Sequence, residues 1–350
     1  MDQDTIRIPR DPLFEFTREV FTRVGMSPEN ATTEAEVLVW ASQRGVDSHG
    51  VQLIAMYVDN VDKGYMNPKP NIQIIQETAA TLFIEADRSF GPVVTTFTMN
   101  RLMDKAREAG IGWGLIRNTT HQGAMGYYAE MAAKQNMAGI ALVCNPPNMA
   151  PTGARVAGVH NSPLAIAVPA QQRPPIIFDM ATSVAAFGKI GVAIDKGISI
   201  PDDWAIDADG NPTTDPNEAK ALLPAGGYKG YGLALMFECL SSVMMGNPLL
   251  GPCLHDQDPP LPFTQNSVVA AINIGSFTDP DGYRQNIDTL VAGLKGLPTV
   301  EGVDEVLVPG EPENKVSEER TRNGIPLPPG TAQKLRDVAQ RFDIPLPAGL

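Results

Sequence analysis

Four short stretches hold most of the residues able to do chemistry. In Arg44-Gly45-Val46-Asp47-Ser48-His49-Gly50-Val51 an acid, a hydroxyl and one of the chain's 4 histidines are consecutive. The pattern reads as a break between two helices with His49 at the start of the second, where unpaired N–H groups and the positive dipole end set an imidazole's charge. Asp47 and Ser48 also read as helix caps, with His49 a polar first-turn residue. The second stretch, Arg117 to Tyr128, places His121 before Gly123, Ala124 and Gly126. Such small residues let a flat ring lie against the backbone, or let a helix pack closely. In the third, Ile176 to Ser183, Asp179 follows a buried strand and precedes a helix, a place for binding a ribose hydroxyl or holding a histidine. A cap is the plainer reading. The fourth, Gly226-Gly227-Tyr228-Lys229-Gly230-Tyr231-Gly232, precedes an apolar helix and reads as an anion cradle of bare N–H groups around a lysine. It is not a P-loop, since no Ser or Thr follows the Lys; an ordinary glycine-rich turn is the alternative.

These stretches include no Gly-x-Ser-x-Gly nucleophile and no metal triad. The nearest metal pattern is Asp47-x-His49, and a metal-dependent hydrolase would have to draw on Asp47, His49, His121 and Asp179. Hydride transfer fits better: a nicotinamide supplies the chemistry, a histidine handles the proton, and the cradle holds phosphates or a carboxylate. No metal is expected. Gly110, Gly112 and Gly114 mimic a dinucleotide fingerprint, but they follow a helix and enter a strand, the reverse of the required order. His255 lies in a Pro-rich loop and reads as inert.

Stepping from the residues to the elements that carry them, apolar spacing predicts helices over 12–24, from Ser27-Pro28 to about Arg44, and from the His49 stretch through Val61. Alternation at Ile72 and Ile74 and at Thr81 and Phe83 predicts strands, and Gly91-Pro92 opens a helix running to Gly110. Strands are then expected at 111–116, 140–144, 164–168, 176–178, 268–274 and 303–308. Helices are expected at 124–135, 183–194, 230–245, 281–294, 313–322 and 331–342. Alternating strands and helices imply an α/β core.

Composition bounds the rest. An apolar fraction of 43% with 19% charged residues argues against long disorder, while 31 Pro and 32 Gly call for many turns. A net charge of −13 without a basic cluster disfavours nucleic acid and anionic membranes as partners. No run approaches a membrane span, and the N-terminus lacks the basic start and apolar run of a signal peptide. Cys144, Cys239 and Cys253 are far apart and odd in number, which points to a reducing, cytoplasmic setting.

Taken together, the motifs resemble those of the malate/L-lactate dehydrogenase-type oxidoreductases that lack a Rossmann domain, a family including ureidoglycolate dehydrogenase, 2,3-diketo-L-gulonate reductase and piperideine-2-carboxylate reductase. The resemblance spans the chain: RGVDSHGV at 44–51, RNTTHQGAMGYYA at 117–129, NSPLAIAVP at 161–169, FDMATS at 178–183, LPAGGYKGYGLAL at 223–235 and NGIPL at 323–327. It implies a homodimer acting on a small polar 2-hydroxy or 2-oxo acid, or a related carbonyl or imine, with NAD or NADP. It further implies a helical domain from 1–66 with 312–350, a connecting α/β domain at 67–135 and a non-Rossmann NAD(P)-binding α/β domain at 136–311.

By the same resemblance His49 is the main acid/base with Ser48 beside it, His121 the other candidate, and Asp179 a further catalytic group. Asp179, Met180, Ala181, Thr182, Tyr228, Lys229, Gly310, Glu311 and His121 would line the cofactor. Arg44, Ser48, His49, Leu53, Asn145 and His160 would meet the substrate. Two positions depart from the family pattern. Leu53 replaces an arginine that pairs with a substrate carboxylate, and His160 replaces the glycine before Asn-Ser-Pro. Either the substrate lacks that carboxylate, or Arg44 or Lys229 takes over, or His160 contributes.

Overall fold

The structure, a computed structural model, describes residues 6–350 apart from 256 and 258, and only the backbone of 195 and 196. Strand β1 (Ile6–Ile8) leads into α1 (Arg10–Val24), which ends at Gly25 in the left-handed region (φ 111°). Ser27 caps α2 (Pro28–Gln43) by accepting the Asn30 N–H, with Pro28 at the first helical position. The helix expected to start at His49 starts later, as α3 (Ile54–Asp62). Before it the chain makes two 3₁₀ turns, Asp47–His49 and Val51–Leu53, separated by an extended Gly50. The reason is a close approach to α2: a Cβ on Gly50 would stand 2.1 Å from Ser42 Oγ, which instead accepts the Val51 N–H at 3.0 Å.

Next come β2 (Gln73–Glu77), β3 (Thr81–Glu85), α4 (Gly91–Ala109), β4 (Ile111–Thr119), α5 (Gly126–Ala133), β5 (Met137–Cys144), β6 (Leu164–Val168), β7 (Ile176–Met180) and α6 (Phe187–Lys196). They are followed by β8 (Ala205–Ile206), β9 (Ala221–Leu222), α7 (Tyr228–Glu238), α8 (Leu250–Leu254), β10 (Gln265–Asn273), α9 (Pro280–Lys295), α10 (Glu311–Asn323), β11 (Ile325–Leu327) and α11 (Pro329–Phe342). A mixed seven-stranded sheet has the order β2-β3-β4-β10-β5-β6-β7, so it takes strands from both sides of residue 136. Within it β3–β4 is parallel and the other neighbours are antiparallel. Helices α4 and α5 lie against it where glycines admit them. A Cβ on Gly112 would meet the Leu102 carbonyl at 2.3 Å, and one on Gly139 the Ala129 carbonyl at 2.2 Å. The false fingerprint is thus a packing seam.

Three further expectations change. Asp179 does not follow its strand but lies inside β7, paired with Ala165. Because β7 is an edge strand in antiparallel pairing, the rule for ligands at parallel strand ends does not account for its position. The helix expected from Ser183 begins at Phe187, leaving 181–186 as a loop. Residues 303–308 form no strand; β7 meets that segment's end through a single bond, Ile177 N–H to the Pro309 carbonyl at 3.4 Å. Separately, α7 runs into a π turn at Cys239–Val243.

The chain's two ends share one core. Ile8, Leu13, Phe21, Leu38 and Tyr57 pack with Ile325, Leu335 and Val338, and β1 pairs antiparallel with β11. A second core lies between the sheet and α4 and α5, through Leu82, Met99, Leu102, Tyr128 and Val269. Val37 belongs to this second core although α2 otherwise faces the first, so α2 bridges the two.

Candidate active site

Between these cores lies a cavity of about 1180 Å³. The 3₁₀ turn carries Ser48 and His49 into its wall, and the loop after β4 carries His121. The two imidazoles stack with centroids 5.4 Å apart and planes at 25°. His121 Nδ1 accepts the Gly123 N–H at 3.3 Å and lies 2.6 Å from Tyr57 Oη. A backbone N–H can only donate, so Nδ1 is the acceptor, Tyr57 donates to it, and the ring proton resides on Nε2. His49 Nδ1 lies 2.9 Å from Ser48 Oγ. Asp47, beside them, is held by both guanidinium nitrogens of Arg320, at 2.5 and 2.9 Å.

Burial dominates the electrostatics of this wall. It lowers the His49 pKa, and it brings His121 down to about 3 with help from the nearby His49 and His160. His160, buried with Nδ1 3.4 Å from Ser162 Oγ, is also brought down to about 3 by burial. At neutral pH the imidazoles are therefore neutral bases.

A second wall is built by β7 and the loop after it. Asp179 Oδ2 accepts the Gly126 N–H at 2.7 Å, yet burial raises its pKa to about 6 despite that bond. Arg44 faces Asp179, Glu130 and Glu313, stacks 5.0 Å over the Trp40 ring and donates to Asn314 Oδ1 at 2.7 Å. The start of α6 closes this side with Ala185 to Lys189 in the wall. No side chain caps α6, so its first N–H groups are open to an anion, and Lys189 in its first turn sets its ammonium 5.8 Å over the Trp204 ring. A Cβ on Gly188 would lie 3.5 Å from Ser48 Cβ, which brings this helix start next to the histidine turn.

These features fit a dinucleotide. An uncapped helix start with a lysine suits phosphates, Asp179 suits a hydroxyl donor, and Ile177, Phe178, Leu307 and Val308 offer apolar surface.

Of the residues singled out from sequence, Arg44, Ser48, His49, His121, Asn145, His160, Asp179, Met180, Ala181 and Gly310 line this one cavity. Leu53 packs against the helical core instead. Thr182 is buried beside the wall, Tyr228 and Lys229 are exposed at the head of α7 just beyond the lining Gly226, and Glu311 pairs with Lys295 at 2.8 Å. The set Asp47, His49, His121 and Asp179 does not assemble as ligands: Asp47 is taken by Arg320, and among the described residues no group of three or more His, Cys, Asp or Glu side chains could hold a metal ion.

Sequence reasoning missed Trp40, Lys189, Gln265 and Glu313, all in the lining. The i, i+4 spacing of Trp40 and Arg44 on a helix was a usable signal. Lys189 was hidden by the misplaced start of α6, and Gln265 carries no local signal. Tyr57, inside the helix expected through Val61, carries no signal of its own for its bond to His121.

A profile of the malate/L-lactate dehydrogenase family matches residues 8–336. The malate dehydrogenase of Pyrococcus abyssi is 34% identical over 358 aligned positions, covering 98% of this chain and 97% of its own. Ureidoglycolate dehydrogenase (NAD(+)) of Escherichia coli K12 is 32% identical, covering 92% of this chain and 93% of its own. Among solved structures, malate dehydrogenase from Entamoeba histolytica superposes with a TM-score of 0.94 at 29% identity, covering 98% of this chain and all of that one. The chain belongs to the malate/L-lactate dehydrogenase family and is a nicotinamide-dependent dehydrogenase.

Proposed function

We propose that the protein interconverts a small polar 2-hydroxy acid and its 2-oxo acid, or a related carbonyl or imine, with His49 and His121 handling the proton. The observation that carries this reading is the stacked, neutral histidine pair, in which Tyr57 and Gly123 hold His121 in one tautomer. When bound, the nicotinamide exchanges a hydride with the substrate carbon. The chain's own residues bind, orient and move the proton. In oxidation a neutral imidazole receives the hydroxyl proton; in reduction the Nε2–H of His121 is the donor available to the substrate oxygen.

Asp179, Met180, Ala181 and Gly310 support the cofactor, with Lys189 and the α6 start at its phosphates and Lys229 near the rim. Thr182, Tyr228 and Glu311 brace this region from outside the lining. At the substrate end, Leu53 supplies no charge, and Arg44 is engaged by Asn314 and stacked on Trp40. Asn145 and the buried His160 are then the substrate's polar contacts, which favours an acid carrying a further hydrogen-bonding group over a bare 2-oxo acid.

A second copy of the chain is the expected partner. Leu233, Met236, Leu240, Val243 and Met244, along α7 and its π turn, leave apolar surface exposed in the single chain. The cysteines are all free, in keeping with a reducing compartment such as the cytoplasm. Among the described residues no helix is long and apolar enough to cross a membrane.

The test is a panel of 2-hydroxy acids, 2-oxo acids and cyclic imino acids with NAD(H) and NADP(H), followed by nicotinamide absorbance. Turnover of a 2-hydroxy or 2-oxo acid bearing a second polar group is expected. Tight nicotinamide binding without turnover of any panel member would overturn the reading.

A further inference from the structure

The 3₁₀ turn Asp47–His49 carries a ring read above as handling the proton, yet little holds it in place. None of its residues is buried and no side chain caps it. Its backbone bonds are local, His49 N–H to the Val46 carbonyl at 2.9 Å and Gly50 N–H to the Asp47 carbonyl at 3.0 Å. Ser48 Oγ bonds the neighbouring His49 ring. Among the described residues, the side-chain hydrogen bonds that tie the turn to another part of the chain are those Asp47 accepts from Arg320, at 2.5 and 2.9 Å. Arg320 Nη1 also donates to the Ser42 carbonyl in the last turn of α2. One planar guanidinium thus joins the end of α2 to the turn, and its fork fixes direction as well as distance. Ser42 steadies the far side too, since its Oγ accepts the Val51 N–H at 3.0 Å.

Arg320 acts from a helix that is itself fastened to α2. Asn314 accepts from Arg44, and the Ser317 carbonyl and Thr321 Oγ1 accept from Gln43 Nε2 at 2.8 and 2.9 Å. A Cβ on Gly45 would stand 2.9 Å from Val316 Cγ1, so the two helices meet closely there. Ser48 and His49 line the cavity but Asp47 and Arg320 do not, so the pair works from behind the wall. Stability does not explain it: the Asp47 side chain is 45% exposed, and an ion pair so open to water adds little to folding. What the pair supplies is orientation, and a misplacement of about 1 Å at a reacting group can cost roughly 10²-fold in rate.

We infer that Arg320 is a positioning residue for the acid/base turn: its guanidinium, forked across the Ser42 carbonyl and the Asp47 carboxylate, fixes where the turn sets the His49 ring in the cavity. The inference rests on the reading of His49 as a proton-handling group. It gives α10 a task at each end, since Gly310, Pro312 and Glu313 at its start line the wall proposed for the cofactor. Loosening α10 as a whole would disturb both ends, whereas losing the fork alone moves only the turn.

The test compares wild type with Arg320→Gln, Arg320→Lys, Asp47→Asn and the double variant of Arg320→Gln with Asp47→Asn, using a substrate found in the panel above and working well below every thermal midpoint. The measurements are kcat, KM, nicotinamide Kd by fluorescence, and the imidazole NMR spectrum of the protein without cofactor, with the His49 signal assigned by its loss in His49→Asn. Arg320→Gln should lose about 10- to 100-fold in kcat with nicotinamide Kd and KM nearly unchanged, and the His49 signal should shift or broaden while that of His255 stays. Asp47→Asn should follow by a smaller factor, and the double variant should be no slower than the slower single, as for residues acting as one unit. Arg320→Lys keeps the charge without the fork and should recover only a small part of the loss. A lysine enzyme with wild-type kcat would show that charge suffices, and a glutamine enzyme whose nicotinamide Kd weakens as much as its kcat falls would show that all of α10 has moved. Either result overturns the inference, as does a variant altered only in thermal midpoint. If Arg320→Gln does not fold, Asp47→Asn decides: a lower kcat with nicotinamide Kd intact supports the positioning role, and an unchanged kcat and His49 signal count against it. Absence of wild-type turnover on every panel member sinks the functional reading, and the His49 signal then still decides whether Arg320 places the turn.

Discussion

His121 and Asp179 are buried in the same cavity, yet burial moves them in opposite directions, the imidazole down to about 3 and the carboxyl up to about 6. In each case it penalises the charged form. What differs is the company each side chain keeps. His121 is backed by a phenol and a backbone N–H at one nitrogen and has two other imidazoles near it, so nothing stabilises a positive ring. Asp179 has a backbone N–H and the Arg44 guanidinium favouring its charge, against burial and Glu313 opposing it. At neutral pH the histidine wall is therefore uncharged, and the Asp179 wall is balanced so that a ligand's donors could tip it to the carboxylate. Under the function proposed above, one cavity holds a wall for chemistry and a wall for binding.

The contrast can be broken most severely at His121. His121→Asn keeps a polar group but no exchangeable ring proton, and kcat should fall by about 10²- to 10⁴-fold with nicotinamide Kd little changed in a fluorescence titration. If Kd weakens as much as kcat falls, the walls do not divide their tasks. Asp179→Asn tests the other side: it should weaken nicotinamide binding about tenfold, the worth of one charge-assisted hydrogen bond, while kcat at saturating cofactor changes less.

The same variant carries a pH signature. Asp179's folded pKa of about 6 lies above its ordinary 3.8, so the folded protein holds that proton more tightly than the unfolded chain. That contribution to stability is complete below the ordinary value and is lost as pH rises through about 6. Asparagine does not titrate, so the thermal midpoint of Asp179→Asn relative to wild type should climb across this window and then level off. A difference independent of pH would mean the carboxyl is already ionised in the free protein. The smallest effect belongs to Ser48→Ala. Ser48 is exposed and its contact to His49 is one hydrogen bond, so a roughly threefold loss in kcat is expected; a loss rivalling that of His121→Asn would make the 3₁₀ turn the chemical centre instead.

Much of this was legible in the sequence because it depended on local chemistry. Ser27-Pro28 announced a helix start, and the histidine and Asp179 motifs marked three of the segments that line the cavity. What was not legible depended on what approaches from elsewhere. The start of α3 was misplaced because only the position of Ser42 shows why Gly50 must be extended. Residues 303–308 have strand composition, but the β7 edge meets them through one bond at Pro309 rather than a ladder. Glu34 carries no local signal, because no pattern in the sequence reveals that α2 is covered on that side as well. Leu53 was marked through the family pattern, yet its packing partners are apolar residues of the helical core.

The Arg320–Asp47 pair has a consequence for how the enzyme comes into being. Arg320 also donates to the Ser42 carbonyl, so a residue of α10 fastens both the end of α2 and the turn that bears His49. Nearby, β1 is completed by β11, a strand more than 300 positions later in the chain. During synthesis the histidine turn therefore lacks this fastening until Arg320, 273 residues after Asp47, has left the ribosome. Closing so long a loop is a late step in folding. A chain made only through β10 can have all seven strands of its large sheet while the histidine turn still lacks its clamp from α10.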